Sequence, residues 1–281
     1  MAPSHPHRLS RRRFVHTGSA AIASLGLGLA RAADPKKIPI GLQLYSVRNE
    51  CQKDLAAVIQ AVGKMGYKGV EFAGYYGRDA KTLRKLLDDN GLVCCGTHTP
   101  YESVQPKNLQ ATVEFNRTLG NPFLIVPSMG GASKADWLAH AKLFNEVAAK
   151  VKADGLFVGY HAHGHDFRKF DGETAWDIFF GNTKPEVVMQ LDTSNCRDGG
   201  ADPLAVLKKY PGRAMSIHLK EWGGPKDAVI GGGEIPWKEV FQFCETQGAT
   251  RWYVVEHERA GGDPLGDARR CLEALRVMGK C

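Results

Sequence analysis

From Ile38 onward, short apolar runs rich in Val, Ile, Leu and Phe alternate with amphipathic stretches of about ten to fifteen residues, the rhythm of strand-helix units on a parallel sheet. The runs IPIGLQLY near 38–45, KGVEFA at 68–73, LVCCGTH at 92–98, FLIVPS at 123–128, LFVGYHAH at 156–163, VVMQLD at 187–192, AMSIHLK at 214–220 and WYVVEHE at 252–258 predict eight strands. Helices are predicted at Asp54–Met65, Ala80–Asp89, Ala135–Ala153, Pro203–Tyr210, Pro236–Thr246 and Pro264–Met278, several opened by Asp or Pro and followed by Gly. Eight such units fit a single α/β domain closed as a (β/α)8 TIM barrel, with a doubly wound open sheet as the alternative. No linker or composition break follows residue 40, so one domain is expected over 33–281. The main glycine-rich interruption, 223–236, lacks both phosphate-cradle patterns and reads either as a mobile loop over the barrel mouth or as a substrate contact.

The net charge of +7 suggests a polyanionic partner, but the leader accounts for most of it. Arg8, Arg11, Arg12, Arg13 and Arg31 precede any acidic residue, and without them 32 basic residues face 30 acidic ones. That balance gives no electrostatic case for nucleic acid. Residues 1–32 run from a basic start through SRRRFVH and the weakly apolar TGSAAIASLGLGLA to a small-x-small site at Ala30-Arg31-Ala32. Arg11 and Arg12, with Phe14 following, resemble a twin-arginine export signal, which implies a periplasmic or extracellular protein of about 249 residues. The apolar stretch is too short and too rich in Gly, Ala and Ser for a membrane anchor after signal removal. The seven cysteines lack a CxxC pair and regular spacing, so most are expected to be free and buried, with adjacent Cys94 and Cys95 in a core strand.

Active sites of closed parallel barrels sit at the carboxyl ends of the strands, so the polar residues that finish each apolar run are the candidates. They are Glu71, His98, His161 and His163, Asp192, His218 and Lys220, and Glu256 and Glu258. His161, Asp192, His218 and Glu256 close four successive runs, and ionisable groups there must be paired, metal-bound or wet. Two imidazoles and two carboxylates form a mixed nitrogen and oxygen set suited to one divalent ion. Mn²⁺ is the first expectation, with Co²⁺, Zn²⁺, Fe²⁺ and Mg²⁺ as alternatives. The rim aromatics Tyr45, Phe72, Tyr101 and Trp222 are candidates to pack on the apolar face of a ligand. Lys220 is either a substrate contact or the partner of Glu221 or another rim carboxylate.

At this point the chain resembles the xylose isomerase-like barrels, a superfamily that includes sugar phosphate isomerases and epimerases, D-tagatose 3-epimerase and inosose dehydratase. The strings that carry the resemblance are GLQLYSVR, GYKGVEFAG, GYHAHGHDF, QLDTSN, YPGRAMSIHLKEW, GGGEIPW and WYVVEHE, spread over 38–278. It implies the same four metal ligands, His161, Asp192, His218 and Glu256. It also implies that an epimerase would carry a glutamate, a second base, where this chain has His161. That departure makes the site more similar to inosose dehydratase, in which elimination needs one base and one acid.

The expected activity is isomerisation or epimerisation of a sugar by proton abstraction next to its carbonyl, through an enediolate. The alternative is a lyase or dehydratase acting by β-elimination on a 3-keto sugar or 3-keto glycoside, which a partner sugar dehydrogenase would supply. Glu256 is the expected base; His163, His98 and Glu71 are candidates for moving a proton or holding hydroxyls. An exported enzyme would meet few phosphorylated sugars. A non-catalytic sugar-binding barrel and a three-zinc DNA endonuclease fit less well, the first because both carboxylates are kept, the second because it needs more ligands. The pattern is compatible with a homodimer.

Overall fold

The computed structural model describes residues 37–258 and 262–281, so the leader assigned to 1–32 lies outside the described residues. Eight parallel strands occur at Ile40–Gln43 (β1), Gly69–Phe72 (β2), Val93–His98 (β3), Phe123–Val126 (β4), Phe157–His161 (β5), Val188–Gln190 (β6), Ser216–Leu219 (β7) and Trp252–Val255 (β8). Each lies inside one of the eight apolar runs. Their order, β6-β5-β4-β3-β2-β1-β8-β7, is cyclic. Between β6 and β7 the ring is joined by a parallel bridge between Asp192 and His218 and by His218 N–H donating to Leu191 O at 2.9 Å. The chain is therefore a nearly closed TIM barrel, and the open doubly wound sheet is overturned.

The helices are Arg48–Met65 (α1), Ala80–Asp89 (α2), Pro106–Leu119 (α3), Lys134–Val151 (α4), Ala175–Asn182 (α5), Thr193–Asp198 (α6), Pro203–Lys209 (α7), Trp237–Thr246 (α8) and Pro264–Val277 (α9). α3, α5 and α6 were not among the expected helices. The expected start at Asp54 is a break inside α1, where Asp54 leaves the helical region (φ −155°, ψ 91°) and its Oδ1 accepts from Ala57 N–H at 3.0 Å. The sequence signal there was a true cap, but of the second of two merged helical segments. A short hairpin, Lys169–Phe170 with Glu173–Thr174, turns at Asp171-Gly172, both with positive φ as that dipeptide prefers. Among the described residues, no helix is long and apolar enough to cross a membrane.

Two apolar cores support this frame. The larger fills the layer between strands and helices; the smaller, Phe123, Ile125 and Val188 with Phe157, Met215 and Trp252 against them, forms the floor inside the barrel. The lumen is tight enough that glycine is needed: a Cβ at Gly41 would sit 2.6 Å from Cys95 Sγ, and one at Gly159 would sit 2.7 Å from both Ile125 and Val188. Cys94 and Cys95 are both buried and free at a register shift between β2 and β3; all seven cysteines are free, and Cys281 alone of them is exposed. This dry floor lies beneath a layer of polar side chains at the carboxyl ends of the strands.

Candidate metal centre

Side-chain hydrogen bonds inside the ring, three of them between strands that are not neighbours, identify the inward-facing residues. Gln190 on β6 donates from Nε2 to Glu71 Oε1 on β2 at 2.8 Å and to Ser216 Oγ on β7 at 2.9 Å. Gln43 on β1 donates to Glu71 Oε2 at 2.7 Å. His161 Nδ1 lies 3.1 Å from Gln190 Oε1, and His98 Nε2 lies 3.3 Å from the same oxygen. Glu71 also meets His218 Nε2 at 2.5 Å. The other carboxylate oxygens and imidazole nitrogens stand above this floor.

His161, Asp192, His218 and Glu256 are all buried, and each offers one ligand-type atom within 4.8 Å of the others. The fold fixes their directions. Asp192 is the N-cap of α6, its Oδ1 accepting from Asn195 N–H at 2.7 Å, and this leaves Oδ2 buried with no hydrogen-bond partner among the described residues. His218 presents Nδ1 to Glu256 Oε2 at 2.8 Å, with Asp192 Oδ2 at 3.9 Å from the same nitrogen. An orphaned buried carboxylate oxygen beside an imidazole nitrogen and a second carboxylate is a donor set that fits a divalent cation. A second grouping, His98, His161 and His218, shares two of these imidazoles.

The charges follow from this crowding. Burial opposes ionisation of Asp192, and with Glu256 close by its carboxyl is pushed up to about 7 despite Lys220. Burial also works against a charged His218, yet Glu71 and Glu256 flank it and push it up to about 10. Burial would raise Glu256, but the hydrogen bond from His218 and the Lys220 ammonium hold it well below the usual carboxylate range. Burial holds His161 well below its ordinary value and brings His163 down to about 4, so both are neutral near pH 7.

The remaining candidates divide. His163 packs edge-on against His161, ring centres 4.9 Å apart, and its Nδ1 has no partner among the described residues. Lys220 Nζ bridges Glu256 Oε1 at 2.9 Å and Glu258 Oε1 at 2.5 Å, so its partners are the β8 carboxylates and not Glu221. Tyr45 is 43% exposed at the rim with the Arg48 guanidinium 4.2 Å over its ring. Trp222 donates from Nε1 to Asp198 Oδ1 at 2.8 Å and carries Arg197 against its ring. Tyr101 donates its hydroxyl to His140 Nδ1 at 2.9 Å, the opposite nitrogen being held by Gly130 O.

Two expectations need correction. Phe72 is fully buried in the core between strands and helices, since Glu71 points into the lumen and the next residue must point out, so it has no face for a sugar. Glu71 is also fully buried and surrounded by Gln43, Gln190, His98 and His218, a place for orienting His218 and not for exchanging protons with substrate. Gly96 makes room for that carboxylate, because a Cβ there would collide with it. Gln43, Gln190 and Ser216 were missed; the signal was available, since Gln190 lies two residues before Asp192 and Ser216 two before His218, on the same face of each strand.

The loop 223–236 is tied down. Buried Glu221 accepts from Trp222 N–H at 2.9 Å, Gly231 N–H at 2.6 Å, Ile235 N–H at 3.3 Å and Trp237 Nε1 at 2.7 Å. Within the loop, these bonds anchor Gly231 and Ile235.

The sequence pattern of the xylose isomerase-like TIM barrel family matches residues 59–278. An inosose dehydratase of Clostridium beijerinckii is 25% identical over 273 residues, covering 80% of this chain and 91% of that protein. A solved structure described as a sugar phosphate isomerase/epimerase from Parabacteroides distasonis is 25% identical, with a TM-score of 0.75 over 85% of this chain and 98% of that one. A second structure with that description from the same organism, 23% identical, superimposes with a TM-score of 0.77 over 89% of this chain and 97% of that one, a likeness of fold.

Proposed function

Because the chain belongs to the xylose isomerase-like TIM barrel family, we propose that it is a metal-dependent enzyme that removes a proton next to the carbonyl of a sugar. The observation that carries this reading is the orphaned Asp192 Oδ2 within a cluster of four buried ligand-type atoms contributed by His161, Asp192, His218 and Glu256. Those four residues would hold one divalent ion, Mn²⁺ first among the alternatives. Such an ion supplies polarisation of the sugar's carbonyl oxygen, which lowers the cost of the enediolate.

β-Elimination from a 3-keto sugar or 3-keto glycoside is the outcome best supported. His161, where an epimerase would need a second carboxylate base, is a buried neutral imidazole engaged with Gln190. Lys220 and His218 keep Glu256 ionised, the form a base requires, and His163 has a bare Nδ1. In this assignment the C–H proton next to the ketone goes to Glu256, the C–O bond one carbon further breaks, and the leaving oxygen takes a proton relayed through neutral His163, whose ring releases its N–H proton as the bare Nδ1 accepts one from solvent. The inosose dehydratase relative supports this outcome. Isomerisation or epimerisation is the second reading, favoured by the Parabacteroides distasonis relative at 25% identity.

The test is to load the purified protein with Mn²⁺ and present free keto sugars and 3-keto glycosides in deuterated solvent. Release of water or an aglycone with an enone product is expected. Deuterium in recovered or epimerised sugar would transfer the assignment to the second reading, and absence of both with metal bound would overturn the proposal. The leader at 1–32 is part of the same proposal: it sends the folded enzyme out by the twin-arginine route, where a sugar dehydrogenase supplies the ketone. Arg11→Lys with Arg12→Lys is expected to hold the protein in the cytoplasm on fractionation.

A further inference from the structure

Beside the metal centre, at the ends of β4 and β5, a cavity of about 380 Å³ is lined by Met129, Gly130, Gly131, Trp137, His165 and Arg168 among others, none of its lining residues being acidic. Two ring-to-ring steps connect it to the centre: His161 to His163 at 4.9 Å, and His163 to His165 at 5.7 Å. Its hydrogen-bonding capacity is one-sided. The carbonyls of Met129, Gly130 and Gly131 are already occupied, by His165 Nε2, His140 Nε2 and Arg168 Nη2 at 3.3, 2.8 and 3.0 Å.

Two strong donors remain unused. Trp137 is 1% exposed, yet its indole N–H has no acceptor among the described residues. It abuts Gly131, where a Cβ would sit 2.6 Å from Nε1. A buried donor left unpaired costs on the order of 1–3 kcal/mol, so an acceptor that reaches it recovers that cost. Arg168 lies over Phe170 at 4.5 Å and spends one N–H on Gly131, which leaves the rest of its fork available at the mouth.

We propose that this cavity is a second subsite that takes an oxyanion-bearing substituent of the substrate, a carboxylate or sulfate ester, received by the Trp137 indole N–H and the Arg168 guanidinium with His165 beside them. The inference rests on the sugar-processing reading and narrows it to acidic sugar derivatives. Charge-assisted bonds to a planar carboxylate are what an arginine fork is shaped for.

The indole ¹⁵N–¹H signal of Trp137, assigned by its loss in Trp137→Phe, reports occupancy without turnover. At constant ionic strength the protein loaded with diamagnetic Zn²⁺ is titrated with sodium methyl glucuronide and, separately, with methyl glucoside. The expected result is a saturable shift with the glucuronide alone, with its Kd raised tenfold or more in Arg168→Ala, an exposed site whose truncation leaves the fold intact. No shift with the glucuronide, an equal shift with the glucoside, or a Kd within twofold in Arg168→Ala would overturn the subsite. Because turnover is read on its own panel, loss of the elimination reading leaves this titration standing, and a failed titration beside a positive panel removes the subsite alone.

Discussion

The Glu71 carboxylate meets His218 Nε2 at 2.5 Å in a contact from which solvent is wholly excluded. It fixes one ring proton on Nε2, so that a metal ion would displace only the Nδ1 proton that faces Glu256 and Asp192, the arrangement by which a carboxylate orients a metal-binding imidazole. Glu71→Gln is expected to weaken Mn²⁺ binding by about 10–100-fold without loss of fold. Calorimetric titration with Mn²⁺ checks this, and affinity within twofold of the parent would refute it.

Asp192 serves two ends with its two oxygens, capping α6 with Oδ1 and facing the centre with Oδ2. Asparagine can keep the cap but not the charge. Asp192→Asn is expected to lose bound metal while the metal-free protein keeps its stability within about 0.5 kcal/mol; Asp192→Ala should lose about 1 kcal/mol more through the missing cap. Metal content and urea unfolding of the metal-free proteins separate the two effects.

His163 and Glu256 can be told apart by what each loses. His163→Asn should bind Mn²⁺ normally while kcat falls by about 10²–10⁴-fold, the range for one acid-base group. Glu256→Gln should lose metal and turnover together. Normal kcat in His163→Asn would remove that residue from the chemistry.

Asp166 sets a pH dependence of unusual sign. Burial, outweighing the hydrogen bonds from His163 N–H at 2.7 Å and Tyr160 Oη at 2.7 Å, pushes its carboxyl up to about 6. The folded state therefore holds a proton where the unfolded chain, near 3.8, has released it. A raised folded value means that stability is lost as the pH rises from about 4 to 6 and regained as it falls, by on the order of 3 kcal/mol. Asp166→Asn should lack this component, seen as a smaller fall in urea midpoint between pH 4 and 7 than in the parent. Identical pH profiles would refute it.

The narrow lumen gives a packing prediction. Gly41→Ala forces a Cβ to within 2.6 Å of Cys95 Sγ and is expected to cost about 1–3 kcal/mol. Cys95→Ala in the same chain should recover part of that loss, a coupling that a double-mutant cycle on urea unfolding would measure. Additive costs would mean that the two side chains do not meet.

The amino-acid sequence alone determined the barrel and its rim. Apolar runs bounded by polar residues are dictated by strands buried on both faces, so the strands and the ionisable groups closing them could be read from local pattern. α3 and α5 escaped notice although each carries a local signal, Pro106 at the first turn of one and the Thr174 cap of the other. Phe72 was legible in principle as well, because choosing Glu71 as inward-facing turns its neighbour outward. What only the tertiary structure decided were the pairings. Glu71 and His218 are 147 residues apart in the chain, and nothing local to either predicts that one would buttress the other. Lys220 joined Glu256 and Glu258 and not the adjacent Glu221, because Glu221 turns back into the 223–236 loop to accept backbone and indole N–H groups. Spacing along a strand assigns a side chain to a face, whereas its partner depends on which strands close the ring beside and across from it, and that is a property of the closed barrel.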